Sequence, residues 1–191
     1  MFHDLQYLSA QVAAYDSGVL NGDPFELRDN MCSTEKLIDS LIHERIERID
    51  TSEHHVEFAA SVLEKGNAIP VGACGRSAVI YVYLFLRKIP IRSPVFDWMV
   101  DTAREDFERT ESSIRHMYPP ELLFWLLFVA GTASLGRPGR SWFRMKLAKY
   151  RNFLKLDSWR AATEVLEKLA WLETPGESLG GSLWDELEGI H

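Results

Sequence analysis

Hydrophobic positions fall at helical spacing along most of the chain, and one stretch departs from that pattern by being apolar on every side. Between Glu121 and Gly136 no residue is charged, so a helix here has no polar face to offer water and must be surrounded by other helices. Pro119 and Pro120 suit a first turn, where a missing N–H would have had no intrahelical partner, and Glu121 lies at the positive end of the helix dipole. Gly136-Arg137-Pro138 closes the stretch. The pattern predicts a buried central helix over about Glu121 to Leu135. Its apolar run, Leu122 to Val129 extended by small residues, is shorter than the roughly 20 residues of a bilayer span, so no membrane segment is expected.

The other segments are amphipathic. Leu5, Leu8, Val12 and Tyr15 recur at helical spacing from Asp4 to Tyr15, and Ser17-Gly18 and Asn21-Gly22-Asp23-Pro24 read as turns. Ser33 can cap a helix in which Leu37, Ile38, Leu41, Ile42, Ile46 and Ile49 form one face. A further segment, Val56 to Glu64, follows a break, and the glycines and proline of Gly66 to Gly75 predict a loop. From Arg76 to Pro90 almost every position is apolar, so periodicity does not separate a buried strand from a buried helix. Val79, Ile80, Tyr81, Val82, Tyr83 and Phe85 favour strand, but no other segment reads as a sheet partner, and helix is expected.

Ser93-Pro94 opens a helix with Val95, Phe96, Met99, Val100, Ala103 and Phe107 on its apolar face. Pro138 opens another, reaching about Leu154, and Ser158 caps one carrying Ala162, Val165, Leu166, Leu169 and Ala170. Gly180-Gly181 then precede a short segment with Leu183, Trp184 and Leu187. Helix after helix with short connections defines an all-α fold, a helical bundle or array around the central helix.

At 191 residues the chain holds one sizeable core and not two, so a single domain over 1–191 is expected, with 1–75 as its helical N-terminal part. The start, MFHDLQYL, has neither a secretory nor a transit-peptide pattern, and secretion is not expected. Cys32 and Cys74 stand apart, which predicts free thiols in a reducing compartment, cytosol or nucleus.

Candidate chemistry is sparse. Gly176-Glu177-Ser178-Leu179-Gly180 matches the hydrolase elbow G-x-S-x-G, but it follows a helical pattern where the elbow needs a strand, and only Asp185 and His191 remain to complete a triad. His43-Glu44-Arg45-Ile46-Glu47 begins like the zinc-protease helix and has glutamate where the second histidine is required. Glu53-His54-His55-Glu57 diverges on a helix, Glu188 to His191 is a lone Glu-x-x-His, and no phosphate-binding glycine loop is present. Cys74 has one cationic neighbour, Arg76, a weak ground for reactivity. No catalytic residue, metal ligand or cofactor site is assigned. Tyr81, Tyr83, Trp125, Trp142, Trp171 and Trp184 are candidates to line a small-molecule pocket or to fill the core, of which core packing is the commoner use.

Charge is uneven. Between Gly136 and Leu156 lie seven basic residues and no acid, against a net charge of −7 for the chain. At about 100° per residue, Arg140, Arg144, Arg151 and Lys155 share one narrow face, which Arg137 extends. This stripe can contact an anionic partner such as DNA phosphates or an acidic protein. It can equally pair with the acidic stripe Asp97, Asp101, Glu105, Glu108 and Glu111 on the helix after Pro94, and that pairing is the expected role.

Several short motifs occur in a meaningful order: Ile80-Tyr81-x-Tyr83-Leu84, Arg87-x-Ile89-Pro90-x-x-Ser93-Pro94, Pro120-Glu121-Leu122-Leu123-x-Trp125, Gly136-Arg137 to Trp142-Phe143, Ser158-Trp159 and Leu183-Trp184-x-Glu186. Together they resemble the C-terminal regulatory domain of fungal zinc-cluster transcription factors, best over residues 78–187. Two separate cysteines do not make that family's six-cysteine cluster, and the chain resembles the C-terminal part of a domain that is usually longer. The resemblance implies a nuclear, non-enzymatic regulator of transcription that acts through protein partners, a homodimer or a small-molecule effector, without direct DNA binding by this chain. A small helical ligand-binding protein or enzyme with an aromatic pocket is the alternative.

Overall fold

The described residues of the computed structural model are 2–19, 24–50, 71–172 and 179–189, and their regular structure is entirely helical. In order, the helices are α1 (Phe2–Asp16), α2 (Pro24–Asp50), α3 (Val71–Tyr81) continued by a π-helical turn (Val82–Leu86), α4 (Val95–Met117), α5 (Pro120–Ala133), α6 (Arg140–Leu154), α7 (Trp159–Glu167) and α8 (Leu179–Glu188). The all-α expectation holds, and α5 is its centre. Pro120 starts α5 behind an uncapped Pro119, and Leu122 to Ala133 are buried without interruption. Helices α3, α4, α6, α7 and α8 pack around it, while α1 and α2 pack on each other and against α3 and its π turn, and Gln6 of α1 donates to the Lys168 carbonyl after α7 at 2.7 Å.

The apolar faces read from the sequence turn inward on α1 and α4, while the side chains of Leu41, Ile42, Ile46 and Ile49 on the α2 face lie outside the described residues. Leu5, Leu8 and Val12 of α1 and Phe96, Val100, Ala103 and Phe107 of α4 are buried. The hydroxyl of Ser158 accepts a hydrogen bond from the Ala161 N–H and caps α7 as expected. Helix α6 ends with Lys155 left-handed at φ 55°, and the Leu156 N–H returns 3.0 Å to the Arg151 carbonyl, a closure that glycine usually provides.

Four local expectations are corrected. Residues 71–75 belong to α3 and not to a loop. Gly72 is needed there because a Cβ would stand 2.7 Å from the Asp106 carboxylate on α4, so tertiary packing overrides glycine's poor helix propensity. Ser33 lies inside α2, where its hydroxyl donates to the Asp29 carbonyl one turn back at 2.8 Å, and the helix begins nine residues earlier at Pro24. Leu37 is 44% exposed beside fully buried Ile38. Gly180 and Gly181 lie within α8, because a side chain at Gly180 would meet the indoles of Trp171 and Trp159. The expectations for 21–23, 51–70 and 173–178 fall outside the described residues.

The ambiguous stretch after Arg76 is helical, with a twist that explains its composition. At the π turn the Arg87 N–H reaches the Val82 carbonyl at 2.8 Å, five residues back. This wider turn buries Val82, Leu84, Phe85 and Leu86 together. A regular amphipathic stripe does not turn so many successive residues inward, which is why the sequence resembled a buried strand.

Candidate functional site

Four of the five residues of the basic stripe face the protein. Arg137 is held at the junction of α5 and α4, donating to the carbonyls of Ala133 (2.8 Å), Ile91 (3.0 Å), Ser93 (2.9 Å) and Leu135 (3.3 Å) and to Asp97 Oδ1 (2.8 Å). Its cation thus sits at the C-terminus of α5, where the helix dipole favours it, and lies 5.8 Å from the Phe96 ring centroid. One turn on, Arg140 forks around Glu186 of α8, with Nη2 to Oε1 at 2.7 Å and Nε to Oε2 at 3.1 Å, and also bonds the Gly131 carbonyl. Arg144 donates to the Glu186 carbonyl at 2.8 Å, and its Nε lies 3.3 Å from the Glu186 carboxylate.

Arg151 completes the row. It donates to the Leu187 carbonyl at 2.9 Å and lies 5.1 Å over the Trp184 ring. Arg140, Arg144 and Arg151 therefore fasten α8 by its acid and by the carbonyls of its last turn. Lys155 alone of the five candidates is exposed. Hydrogen bonds from Arg140 hold the Glu186 carboxyl below its ordinary value, outweighing partial desolvation. Pairing between α4 and the basic segment is realised at Asp97 and Arg137, whereas Arg140 and Arg144 choose Glu186, a residue outside the acidic stripe.

The candidate aromatic residues divide between core and surface. Tyr81, Trp125, Trp171 and Trp184 are buried, with Tyr81 5.4 Å from Trp125 and 5.2 Å from Phe85. Trp125 Nε1 donates to the Ala170 carbonyl, and the Tyr81 hydroxyl lies 2.8 Å from that of Ser9, joining α1 to α3. Trp171 and Trp159 pack edge-on with centroids 6.4 Å apart, next to Phe128. Tyr83 and Trp142 are half-buried beneath Arg87 and Lys146.

A concave surface occurs elsewhere, between the start of α5 and the end of α6. Tyr118, Pro120, Leu123, Lys149, Tyr150 and Phe153 line a groove of about 390 Å³. Leu123 and Phe153 are 30 positions apart in sequence and share no local pattern, so no local signal marks it. Behind Tyr118 lies Cys74, a buried helical thiol hydrogen-bonded to the Tyr118 hydroxyl and pushed up to about 11 by desolvation, which keeps it protonated and unreactive at neutral pH. Among the described residues no three His, Cys, Asp or Glu side chains converge as metal ligands.

These helices define an α-helical domain whose buried polar groups fasten one helix to the next. The chain matches the fungal specific transcription factor domain over residues 3–187; it belongs to that family, and its role lies in transcription regulation. Membership extends through the N-terminal helices, well beyond the 78–187 that carry the ordered motifs. No curated protein and no solved structure matches the chain. No described helix is long and apolar enough to cross a membrane.

Proposed function

We propose that this domain regulates transcription in the nucleus as a non-enzymatic interaction module, working through a protein partner or a second copy of itself and contributing no DNA-reading element from these 191 residues. Family membership over 3–187 carries the reading. Two features support it. The guanidinium groups that a DNA-binding face would present are occupied by Glu186, Asp97 and backbone carbonyls. Apolar side chains including Trp98, Phe25 and Tyr7 are more than half exposed, and aromatic side chains are favoured in protein–protein contacts. DNA contact, where it occurs, is then supplied by another module or chain.

The test is to tether residues 1–191 to an unrelated DNA-binding module and read a reporter bearing its site. A reproducible rise or fall in expression relative to the module alone is the expected result. A folded, expressed fusion that leaves the reporter unchanged and captures no partner would overturn the proposal.

A further inference from the structure

We propose that the groove between the start of α5 and the end of α6 binds a small amphipathic organic acid, an aromatic or alkyl body carrying one carboxylate. Its volume of about 390 Å³ lies in the range of small-molecule sites, roughly 300–1,000 Å³. Leu123 is buried, Pro120, Tyr118 and Tyr150 supply half-buried walls, and Phe153 stands 70% exposed at the edge. A phenyl ring left in water beside a concave apolar wall is surface that an occupant would cover.

The charge of the occupant follows from Lys149. Among the described residues it is the charged member of the lining, it is exposed, and it makes no ion pair. Lys149 lies one helical turn before Phe153, so cation and ring share the outer face of α6. The neighbouring arginines face the opposite way, onto α8 and α5. A cationic ligand would meet Lys149 unfavourably and a neutral one would leave it unused, whereas a carboxylate gains a charge-assisted hydrogen bond. Because the chain as a whole is acidic, anion affinity must come from this local cation. An occupant would also touch Tyr118, which reaches Cys74 of α3, so binding would brace α3, α5 and α6 against one another. The assignment rests on this groove and does not require the transcription reading.

Calorimetric titration of the purified chain with 1-naphthylacetate, octanoate and uncharged 1-naphthylacetamide tests it. One of the acids should bind, the amide should bind about tenfold or more weakly, and Lys149→Gln should bring the acid to the amide's level. Phe153→Ala should weaken acid and amide together. Both substitutions are at exposed positions, and an unchanged thermal unfolding midpoint confirms that the fold is intact. Equal binding of acid and amide, an acid affinity unaltered by Lys149→Gln, or no binding of either acid at about 1 mM would overturn the assignment. A dimer that is sensitive to Phe153→Ala and indifferent to both acids would overturn it as well, by identifying a second copy as the occupant.

Discussion

Arg140 holds Glu186 by both carboxylate oxygens, at 2.7 and 3.1 Å, across 46 positions of sequence. The pair joins the start of α6 to the last helix, and Arg144 and Arg151 extend the same attachment to the final carbonyls of α8. The arginines of a stripe that resembles a landing surface in sequence thus form an internal fastening.

That fastening should be sensitive to acid. Folding holds the Glu186 carboxyl below its ordinary 4.5, so its contribution is fully present above that value and is lost as pH falls through the lower, folded value. Stability should therefore drop as pH is taken below 4.5. Glu186→Gln should be less stable at neutral pH and should lack this part of the acid loss. Urea midpoints measured against pH for both proteins check it, and parallel curves would contradict it.

Gly180 and Gly18 should respond to alanine for different reasons. A Cβ at Gly180 would stand 2.6 Å from Trp171 and 2.8 Å from Trp159, an overpacking that costs about 1–3 kcal/mol, offset by up to about 1 kcal/mol of helix propensity. Gly180→Ala should be destabilised on balance, with an altered near-ultraviolet tryptophan signal. At Gly18 the space is open but φ is +70°, so alanine there should cost about 1 kcal/mol with that signal unchanged. Denaturant unfolding followed by circular dichroism separates the two.

The buried hydroxyl of Tyr81 should matter less than the indole of Trp125. Tyr81→Phe removes a bond to Ser9, which retains its bond to the Leu5 carbonyl at 2.6 Å, so the loss should be about 0.5–1.5 kcal/mol. Trp125→Phe leaves the Ala170 carbonyl without its indole donor and opens space at the centre of the core, which should cost about 3 kcal/mol or more. Equal losses in urea unfolding would contradict this account.

Much of this architecture is legible in the sequence because local signals coincide with burial. The uncharged run after Glu121 marked α5, and Ser158 marked the start of α7. The failures share a cause. Gly72 and Gly180 read as breakers until Asp106 and the indoles of Trp159 and Trp171 are seen to occupy the space beside them. Periodicity likewise placed Arg140, Arg144 and Arg151 on one face but carried no information about what that face meets. The groove was invisible for the same reason, since Leu123 and Phe153 come to line one surface only through tertiary packing.

Self-association should be measurable on the purified chain. Tyr7 and Phe25, on α1 and α2, are both more than half exposed, and apolar side chains of this size are favoured in interfaces. Light scattering should report a dimer, and the paired change Tyr7→Ser/Phe25→Ser should shift it toward monomer. A concentration-independent monomer would contradict the expectation.

Direct binding to DNA should be negligible at physiological salt. Affinity for a phosphate backbone depends on how many cations can replace condensed counterions, and Arg137, Arg140, Arg144 and Arg151 are each engaged with carboxylates, carbonyls or a ring within the fold. On the same segment, Lys149 and Lys155 are exposed, on a chain of net charge −7. Charge reversal at Arg140 or Arg144 is a poor probe, because it breaks the attachment of α8 and would abolish any activity by loosening the fold. Lys149→Glu/Lys155→Glu isolates the surface contribution. The expected result is that the wild-type chain passes through a DNA column at physiological salt. Retention that weakens with rising salt and disappears in the double lysine variant, with its unfolding midpoint unchanged, would show that the exposed lysines are enough to hold a phosphate backbone.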